Sequence, residues 1–396
     1  MCDVIAQVAG DPSLPESNRR AFLKVLGTTA AAGGLMAAGV RPASAGGPRQ
    51  HGRGRLGRTR LVLLGTAGGP GFLEGERFGI STAVAFDDRV YVVDLGLGSL
   101  LRLRQSGLSG PTGMATALTN VRGIFFTHMH SDHLMDWPAT YATGPINTAG
   151  RDRAAPPIRV FGPGDRGTLP AYRGLAGDVA PPLFHPEDPT PGIEAMTGYL
   201  MKAWAADFND RARDTAFAPP QNLFDVQDID LTGTWAIDEE GVPPRIAPFE
   251  VWTDDEVRIT ATLVDHRPTA PSFGFRFDTP DGSVTVSGDT TVSPNLIDLA
   301  KDTDYLVHEV IDPLWVERLV QTLPPHIGGP LGGHLIDSHT TIEQVGAEVA
   351  EPAGAKNLVL THLLPEGNPK GRWQQARRGY SGRLIVGEDL MELGVG

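Results

Sequence analysis

Residues 121–133 read Val-Arg-Gly-Ile-Phe-Phe-Thr-His-Met-His-Ser-Asp-His, an apolar run that ends in three histidines and an aspartate. The apolar part, Val121 to Thr127, predicts a short buried strand. Alternate side chains of an extended segment share a face, so His128 and His130 can both reach one metal ion. Asp132 and His133 follow where a helix is predicted to begin, and they point to a second position close by. The stretch therefore predicts a metal centre at the end of a strand.

The composition restricts the kind of metal centre. The chain has 396 residues, with 11 histidines and one cysteine, Cys2, so sites rich in thiolate are excluded. Imidazole and carboxylate ligands favour two divalent ions, zinc first, with manganese or iron as alternatives. The hydrophobic fraction of 40% predicts a globular protein with a sizeable core, and the net charge of −13 argues against a basic nucleic-acid surface.

The first 45 residues predict an export signal. Arg19 and Arg20 precede an apolar run that is too short for a stable membrane span, and Ala43-Ser44-Ala45 offers small residues for cleavage. This arrangement resembles a twin-arginine signal, which implies the twin-arginine translocase as a partner and a periplasmic or extracellular location. The Gly- and Arg-rich residues 46–59 predict a flexible linker, and residues 60–396 a single catalytic domain.

The spacing His-x-His-x-Asp-His at residues 128–133 resembles that of the metallo-β-lactamase superfamily of dinuclear metallohydrolases. Three later stretches match the same family pattern: Leu263-Val264-Asp265-His266, Val286-Ser287-Gly288-Asp289-Thr290 and Leu360-Thr361-His362. The resemblance implies that Asp289 bridges two metals. It implies seven ligands in all: His128, His130, Asp132, His133, His266, Asp289 and His362.

A closer likeness is to the ribonuclease Z branch, which also has arylsulfatase-like and phosphodiesterase-like members. Three stretches carry it: Leu63 to Pro70, Asp304 to Val310, and Ser338-His339-Thr340-Thr341. The resemblance implies that His339 donates a proton, with Glu309 as the candidate that orients it. His308 is expected to pack in the core or to hydrogen-bond a metal ligand from outside the metal's own shell.

The implied fold is an α/β four-layer αβ/βα sandwich, with two sheets face to face and helices outside. A helical insert is expected at about 185–244, where Pro191 to Arg213 has a helical pattern and Asn222 to Leu231 a strand pattern. This insert is a candidate lid, and Trp204 a weak candidate for substrate contact. His334 is another, in a Gly- and Pro-rich stretch expected to be a loop.

Together these features predict an exported dinuclear zinc hydrolase that acts on an ester of a small molecule through a metal-bound hydroxide oriented by Asp132. A phosphodiester or sulfate ester is the first expectation, and a lactone or carboxylic ester an alternative. A second alternative is a ribonuclease Z-like RNA 3′-processing endonuclease, disfavoured by the export signal and by acidic residues of the insert. A third is a non-catalytic metal-binding protein. A homodimer is left open.

Overall fold

The computed structural model describes residues 57–69, 76–110, 115–172, 180–215 and 217–396. The predicted export signal and residues 46–56 of the predicted linker lie outside the described residues. Within the described parts, no helix is both long enough and apolar enough to cross a membrane.

Two mixed sheets of seven strands each form the centre of the molecule. The first sheet has the order β14-β1-β2-β3-β4-β5-β6, and the second the order β13-β12-β11-β10-β9-β8-β7. The strands of the first sheet are β1 (Thr59–Gly65), β2 (Ser81–Phe86), β3 (Arg89–Val93), β4 (Val121–Phe125), β5 (Ile158–Pro163), β6 (Phe224–Ile229) and β14 (Met391–Val395). Those of the second are β7 (Phe249–Asp254), β8 (Val257–Leu263), β9 (Phe273–Thr279), β10 (Gly282–Val286), β11 (Tyr305–Ile311), β12 (Asn357–Leu364) and β13 (Arg383–Val386).

Helices cover the outer face of each sheet. In the first half they are α1 (Ser99–Ser106), α2 (Ser131–Leu134), α3 (Trp137–Thr143), α4 (Ile193–Ala203) and α5 (Ala205–Asp214). In the second half they are α6 (Pro294–Leu299), α7 (Pro313–Gln321), α8 (Pro325–Ser338), α9 (Ile342–Gln344), α10 (Glu351–Ala353) and α11 (Lys370–Trp373). A π-helical turn, Val345–Ala350, joins α9 to α10. The predicted four-layer sandwich is confirmed.

The core between the sheets explains why the layers stay together. Alternate strand residues point inward from both sheets, and Phe125 of the first sheet packs against Phe275 and Phe277 of the second at ring distances of 5.4 Å each. Burying aromatic side chains removes large apolar areas from water. Separate apolar clusters lie between each sheet and its helices, so the ends of the strands remain available for the site.

The expected insert at 185–244 is integrated into the first sheet. Its strand β6 pairs in parallel with β5, which extends the sheet by one strand. The predicted helix is two helices, α4 and α5, and Phe208 packs against Tyr141 of α3 at 6.4 Å. The apolar sides of these two helices belong to the outer layer of the sheet, and the candidate lid remains a prediction.

The stretch before His339 is a helix, α8, instead of the expected loop. Its glycines permit a close helix pair, since a Cβ on Gly328 would lie 2.8 Å from the Val320 carbonyl oxygen of α7. Apolar residues of α7 and α8 form a fourth buried cluster, and this burial compensates for the low helix propensity of glycine. Helix α8 therefore delivers Ser338 and His339 to the edge of the second sheet from a fixed support.

Candidate metal centre

The predicted ligands meet at one edge of the sandwich. In the first sheet, β4 ends at Phe125 and leads through two residues to His128, where the chain turns into α2. In the second sheet, His266 follows β8 and Asp289 follows β10. His362 lies within β12 at a positive φ of 44°, where the pairing of β12 with β11 shifts register. Parallel strands place their carboxyl ends together, so residues far apart in sequence meet here.

Three histidines form the first subsite, which we define as His128, His130 and His266. Nδ1 of His130 lies 3.0 Å from Nε2 of His128 and 3.2 Å from Nε2 of His266. Oδ2 of Asp289 lies 3.9 Å from the Nε2 atoms of both His128 and His266. Four ligand atoms thus converge on one point.

The second subsite consists of Asp132, His133 and His362. Oδ2 of Asp132 lies 3.7 Å from Nε2 of His133 and 3.4 Å from Nε2 of His362. Oδ2 of Asp289 lies 3.3 Å from each of the same two nitrogen atoms. The single oxygen of Asp289 therefore lies between the two subsites, which is the place of a bridging ligand.

The spacing of these atoms fits metal ions. Ligand atoms at about 2.0–2.2 Å from a tetrahedral zinc ion are roughly 3.3–3.6 Å apart, close to the distances observed here. His133 Nε2 and Asp289 Oδ1 are buried and have no hydrogen-bond partner in the described part of the chain. Unpartnered polar atoms at this depth are costly unless an ion satisfies them. The donor set fits two divalent cations.

Electrostatics keep the first subsite in its ligand form. Burial and the neighbouring imidazoles hold the pKa values of His128 and His266 well below the usual value. Burial also lowers the pKa of His130 to about 4. Metal binding requires neutral imidazole. Because these three rings are already neutral at neutral pH, they can bind a metal ion without losing a proton. In the second subsite, Asp289 and Asp94 raise the pKa of His133 in spite of its burial, so a cation there must displace a proton.

Asp94 supports the ligands and was missed in the sequence. It follows β3 at a positive φ of 57° and is buried. Its Oδ2 accepts a hydrogen bond from His133 Nδ1 at 2.8 Å, and its two oxygens accept from the amide and hydroxyl of Thr127. The Thr127 hydroxyl in turn lies 3.0 Å from His128 Nδ1. An acidic residue near the end of the apolar run at residues 90–95 was the available signal.

We expect Asp94→Ala to lower the metal affinity of the second subsite about 10- to 100-fold, because His133 loses the acceptor that orients its ring. Competitive titration of the apoprotein with zinc and a chromophoric chelator measures this affinity. Asp281→Ala is the control, since Asp281 bonds Thr59 and is not among the site residues. Equal affinities in wild type and Asp94→Ala would contradict the assigned role.

Glu309 and His339 form a pair beside both subsites. Nδ1 of His339 lies 3.3 Å from Oε2 of Glu309, and both residues are buried. Oε1 of Glu309 accepts hydrogen bonds from the amides of Thr290 and Thr340, at 3.2 and 2.9 Å. Burial favours the neutral ring, but the Glu309 carboxylate outweighs it and raises the pKa of His339 to about 9. The His339 ring lies 5.1 Å from that of His266 and 5.7 Å from that of His362.

Three weaker predictions concern His308, His334 and Trp204, and their outcomes differ. His308 is fully buried, and its Nδ1 donates to the carbonyl oxygen of Glu309 at 2.7 Å, so the suggested hydrogen bond to a metal ligand is wrong. Nδ1 of His334 lies 3.1 Å from the hydroxyl of Ser338, the residue immediately before His339. Trp204 is 41% exposed between α4 and α5, and its backbone hydrogen-bonds Leu200 and Phe208. Its assignment to substrate remains a prediction.

Comparison with known proteins places this site in a family. Residues 75–362 match the profile of the metallo-β-lactamase superfamily. The chain belongs to the metallo-β-lactamase superfamily. Members of the superfamily typically depend on two metal ions, in agreement with the two subsites.

Similar proteins within the superfamily include ribonucleases Z. The chain is 30% identical over 341 residues to ribonuclease Z of Mycobacterium avium (strain 104), covering 83% of this chain and 96% of the relative. It is 31% identical over 333 residues to ribonuclease Z of Mycolicibacterium paratuberculosis (strain ATCC BAA-968 / K-10), with the same coverages. Family and relatives together indicate a metal-dependent hydrolase.

Solved structures agree on the fold. The metallo-β-lactamase fold protein YhfI from Bacillus subtilis matches with a TM-score of 0.52 at 15% identity, covering 85% of this chain and 98% of that one. The short form of human tRNase Z matches with a TM-score of 0.51 at 17% identity, covering 85% and 99%. At these identities the likeness concerns the fold alone.

Proposed function

We propose that this chain hydrolyses phosphodiester bonds at a centre of two divalent metal ions, with zinc as the native metal. The observation that carries the proposal is the buried pair of Glu309 and His339, 3.3 Å apart and beside both subsites. The oxygen that leaves a phosphodiester needs a proton, and a protonated imidazole is well suited to supply it at neutral pH. Glu309 holds the ring in place and stabilises its charged form.

The other catalytic roles are assigned to residues of the chain. When bound, the two ions would activate a water and stabilise negative charge on the phosphate oxygens. Asp132 contacts its neighbours in the second subsite through Oδ2, and we assign its other oxygen to orienting the attacking water. His339 is the general acid, and Asp289 fixes the separation of the two subsites.

The first candidate substrate is the 3′ end of an RNA precursor, as in ribonuclease Z. The relatives of that name align over 96% of their length, so the similarity extends over nearly the whole relative and is not confined to the six-residue motif. This similarity favours the ribonuclease alternative over the small-molecule ester expected first from the sequence.

The second candidate is a small phosphodiester or sulfate ester outside the cytoplasm, and the charge near the site favours it. Arg267, next to His266, hydrogen-bonds Asp265, and the nearby carboxylates of Asp337 and Glu240 add to the raised pKa of its guanidinium. Three carboxylates around one guanidinium disfavour a polyanion at this rim. The predicted export signal supports the same candidate.

A side-by-side assay separates the candidates. Zinc-loaded protein is given a precursor transfer RNA with a 3′ trailer, bis(p-nitrophenyl) phosphate, p-nitrophenyl sulfate and a lactone, with Asp289→Asn as the inactive control. Site-specific RNA cleavage with the highest kcat/KM supports the ribonuclease candidate, and faster turnover of the small diester or sulfate supports the other. Turnover of the sulfate alone, of the lactone alone, or of none of the four, would refute phosphodiester hydrolysis. Parallel loading with manganese and with iron tests the choice of zinc.

A further inference from the structure

A short segment after the third histidine ligand touches the second one. His266, Arg267, Pro268 and Thr269 form a tight turn, in which the Thr269 amide donates to the His266 carbonyl oxygen at 2.9 Å. The Thr269 hydroxyl lies 2.8 Å from Nε2 of His130. This one turn therefore contains the ligand His266, and through Thr269 it also contacts the ligand His130 of the same subsite.

This contact decides which nitrogen of His130 faces the subsite. Nδ1 of His130 points to the other two histidines, so it must be unprotonated to act as a ligand, and Nε2 must carry the proton. Thr269 is the acceptor that this proton needs. His128 and His266 have the opposite arrangement, with Nε2 facing the subsite and Nδ1 directed to Thr127 and to the Ser338 carbonyl oxygen. A metal-binding imidazole depends on such an acceptor for its orientation.

The turn at residues 266–269 is hydrogen-bonded by Arg166, which lies in the loop after β5. Arg166 is only 9% exposed, and its guanidinium donates hydrogen bonds to the carbonyl oxygens of Pro268, Asp238 and Glu239. These charge-assisted bonds from its two terminal nitrogens link the loop after β5 to the segments that carry Asp238, Glu239 and Pro268. Pro268 is the residue immediately before Thr269.

The segment that shares Arg166 is a turn closed by its own hydrogen bonds. Oδ1 of Asp238 accepts from the amides of Glu240 and Gly241, at 3.1 and 2.9 Å, which closes a turn. Gly241 has a φ of 69°, and a Cβ there would lie 2.9 Å from the Pro268 carbonyl oxygen. The 238–241 turn thus packs directly on the turn that carries Thr269.

We propose that Arg166 and Thr269 are positioning residues for the first subsite, so that the loops after β5 and β8 control metal affinity at that subsite alone. Thr269 sets the ring of His130, and Arg166 sets the turn that presents Thr269. Neither residue touches the second subsite, whose support comes from Asp94. The inference concerns metal binding and holds for either candidate substrate.

The test measures metal binding directly. We expect Thr269→Val to weaken zinc binding at the first subsite about 10- to 100-fold, the range typical for partners of metal ligands, and Arg166→Met to weaken it by about tenfold. The second subsite should keep its affinity, so dialysed protein should retain about one zinc ion per chain. Thr269→Ser keeps the hydroxyl and should restore binding. Substitution with cobalt(II) gives a spectrum in which only the bands of the first subsite should disappear.

Arg159→Met is the matched control for Arg166→Met, because Arg159 lies on β5 and bonds Gln227 instead of the site. If Arg166→Met fails to fold, as judged by circular dichroism, the Thr269→Val and Thr269→Ser pair decides. Equal zinc affinity in Thr269→Val and wild type, or equal losses at both subsites, would overturn the proposal. These results are independent of activity, so failure of the proposed phosphodiesterase activity would be recognised separately.

Discussion

Asp289→Asn is expected to lose metal from both subsites and to lose nearly all activity. Oδ2 of Asp289 is the only carboxylate oxygen within 4 Å of His128, His133, His266 and His362 together in the described part of the chain. The asparagine keeps the size of the side chain but removes the charge that lies between two cations. Loss of several kcal/mol of charge stabilisation corresponds to a fall in rate on the order of 10³ or more.

Metal analysis of the dialysed protein and kcat/KM on the preferred diester measure the two effects. Asp304→Asn is a suitable control, since Asp304 lies on the same sheet before β11, at the opposite edge, where it accepts from the Ser283 amide. The control should keep both ions and full activity. An Asp289→Asn protein that binds two ions with wild-type affinity would show that Asp289 does not bridge the subsites.

The fold and the ligand set could be predicted because several short stretches of the sequence resemble those of the metallo-β-lactamase superfamily. The short apolar runs that end in His128, His266 and Asp289 mark strand ends, and strand ends of such a sandwich share one edge. The alternation along β11 also explains why two neighbouring candidates differ. Glu309 faces the site, while His308 points to the other side of the strand and donates to the carbonyl oxygen of Glu309.

The supports of the site could not be predicted, because each joins segments that are distant in sequence. Thr269 meets His130 across 139 positions, and Arg166 meets Pro268 across 102. A threonine or arginine in a loop carries no local signal of such a partner. Helix α8 was missed for a related reason, since glycine and proline indicate a loop unless close packing against another helix compensates.

His339→Ala is expected to slow hydrolysis about 10²- to 10⁴-fold for substrates with poor leaving groups, the usual contribution of a general acid. Alkyl phosphodiesters and RNA need a proton on the leaving oxygen, whereas p-nitrophenolate leaves readily without one. The loss should therefore be much smaller for bis(p-nitrophenyl) phosphate. Rates across a series of aryl and alkyl diesters should depend more steeply on the leaving-group pKa in the variant than in wild type.

Metal content distinguishes a proton donor from a ligand at this position. His339 lies within reach of His266, Asp289 and His362, so its geometry alone also allows ligation. A donor can be removed while both ions stay bound, so His339→Ala should retain two ions per chain as wild type does. Glu309→Gln should reproduce the leaving-group dependence in weaker form, because the ring remains but loses the charge that stabilises its protonated state. If His339→Ala instead loses an ion and slows all substrates equally, His339 is a ligand and the proton must come from elsewhere.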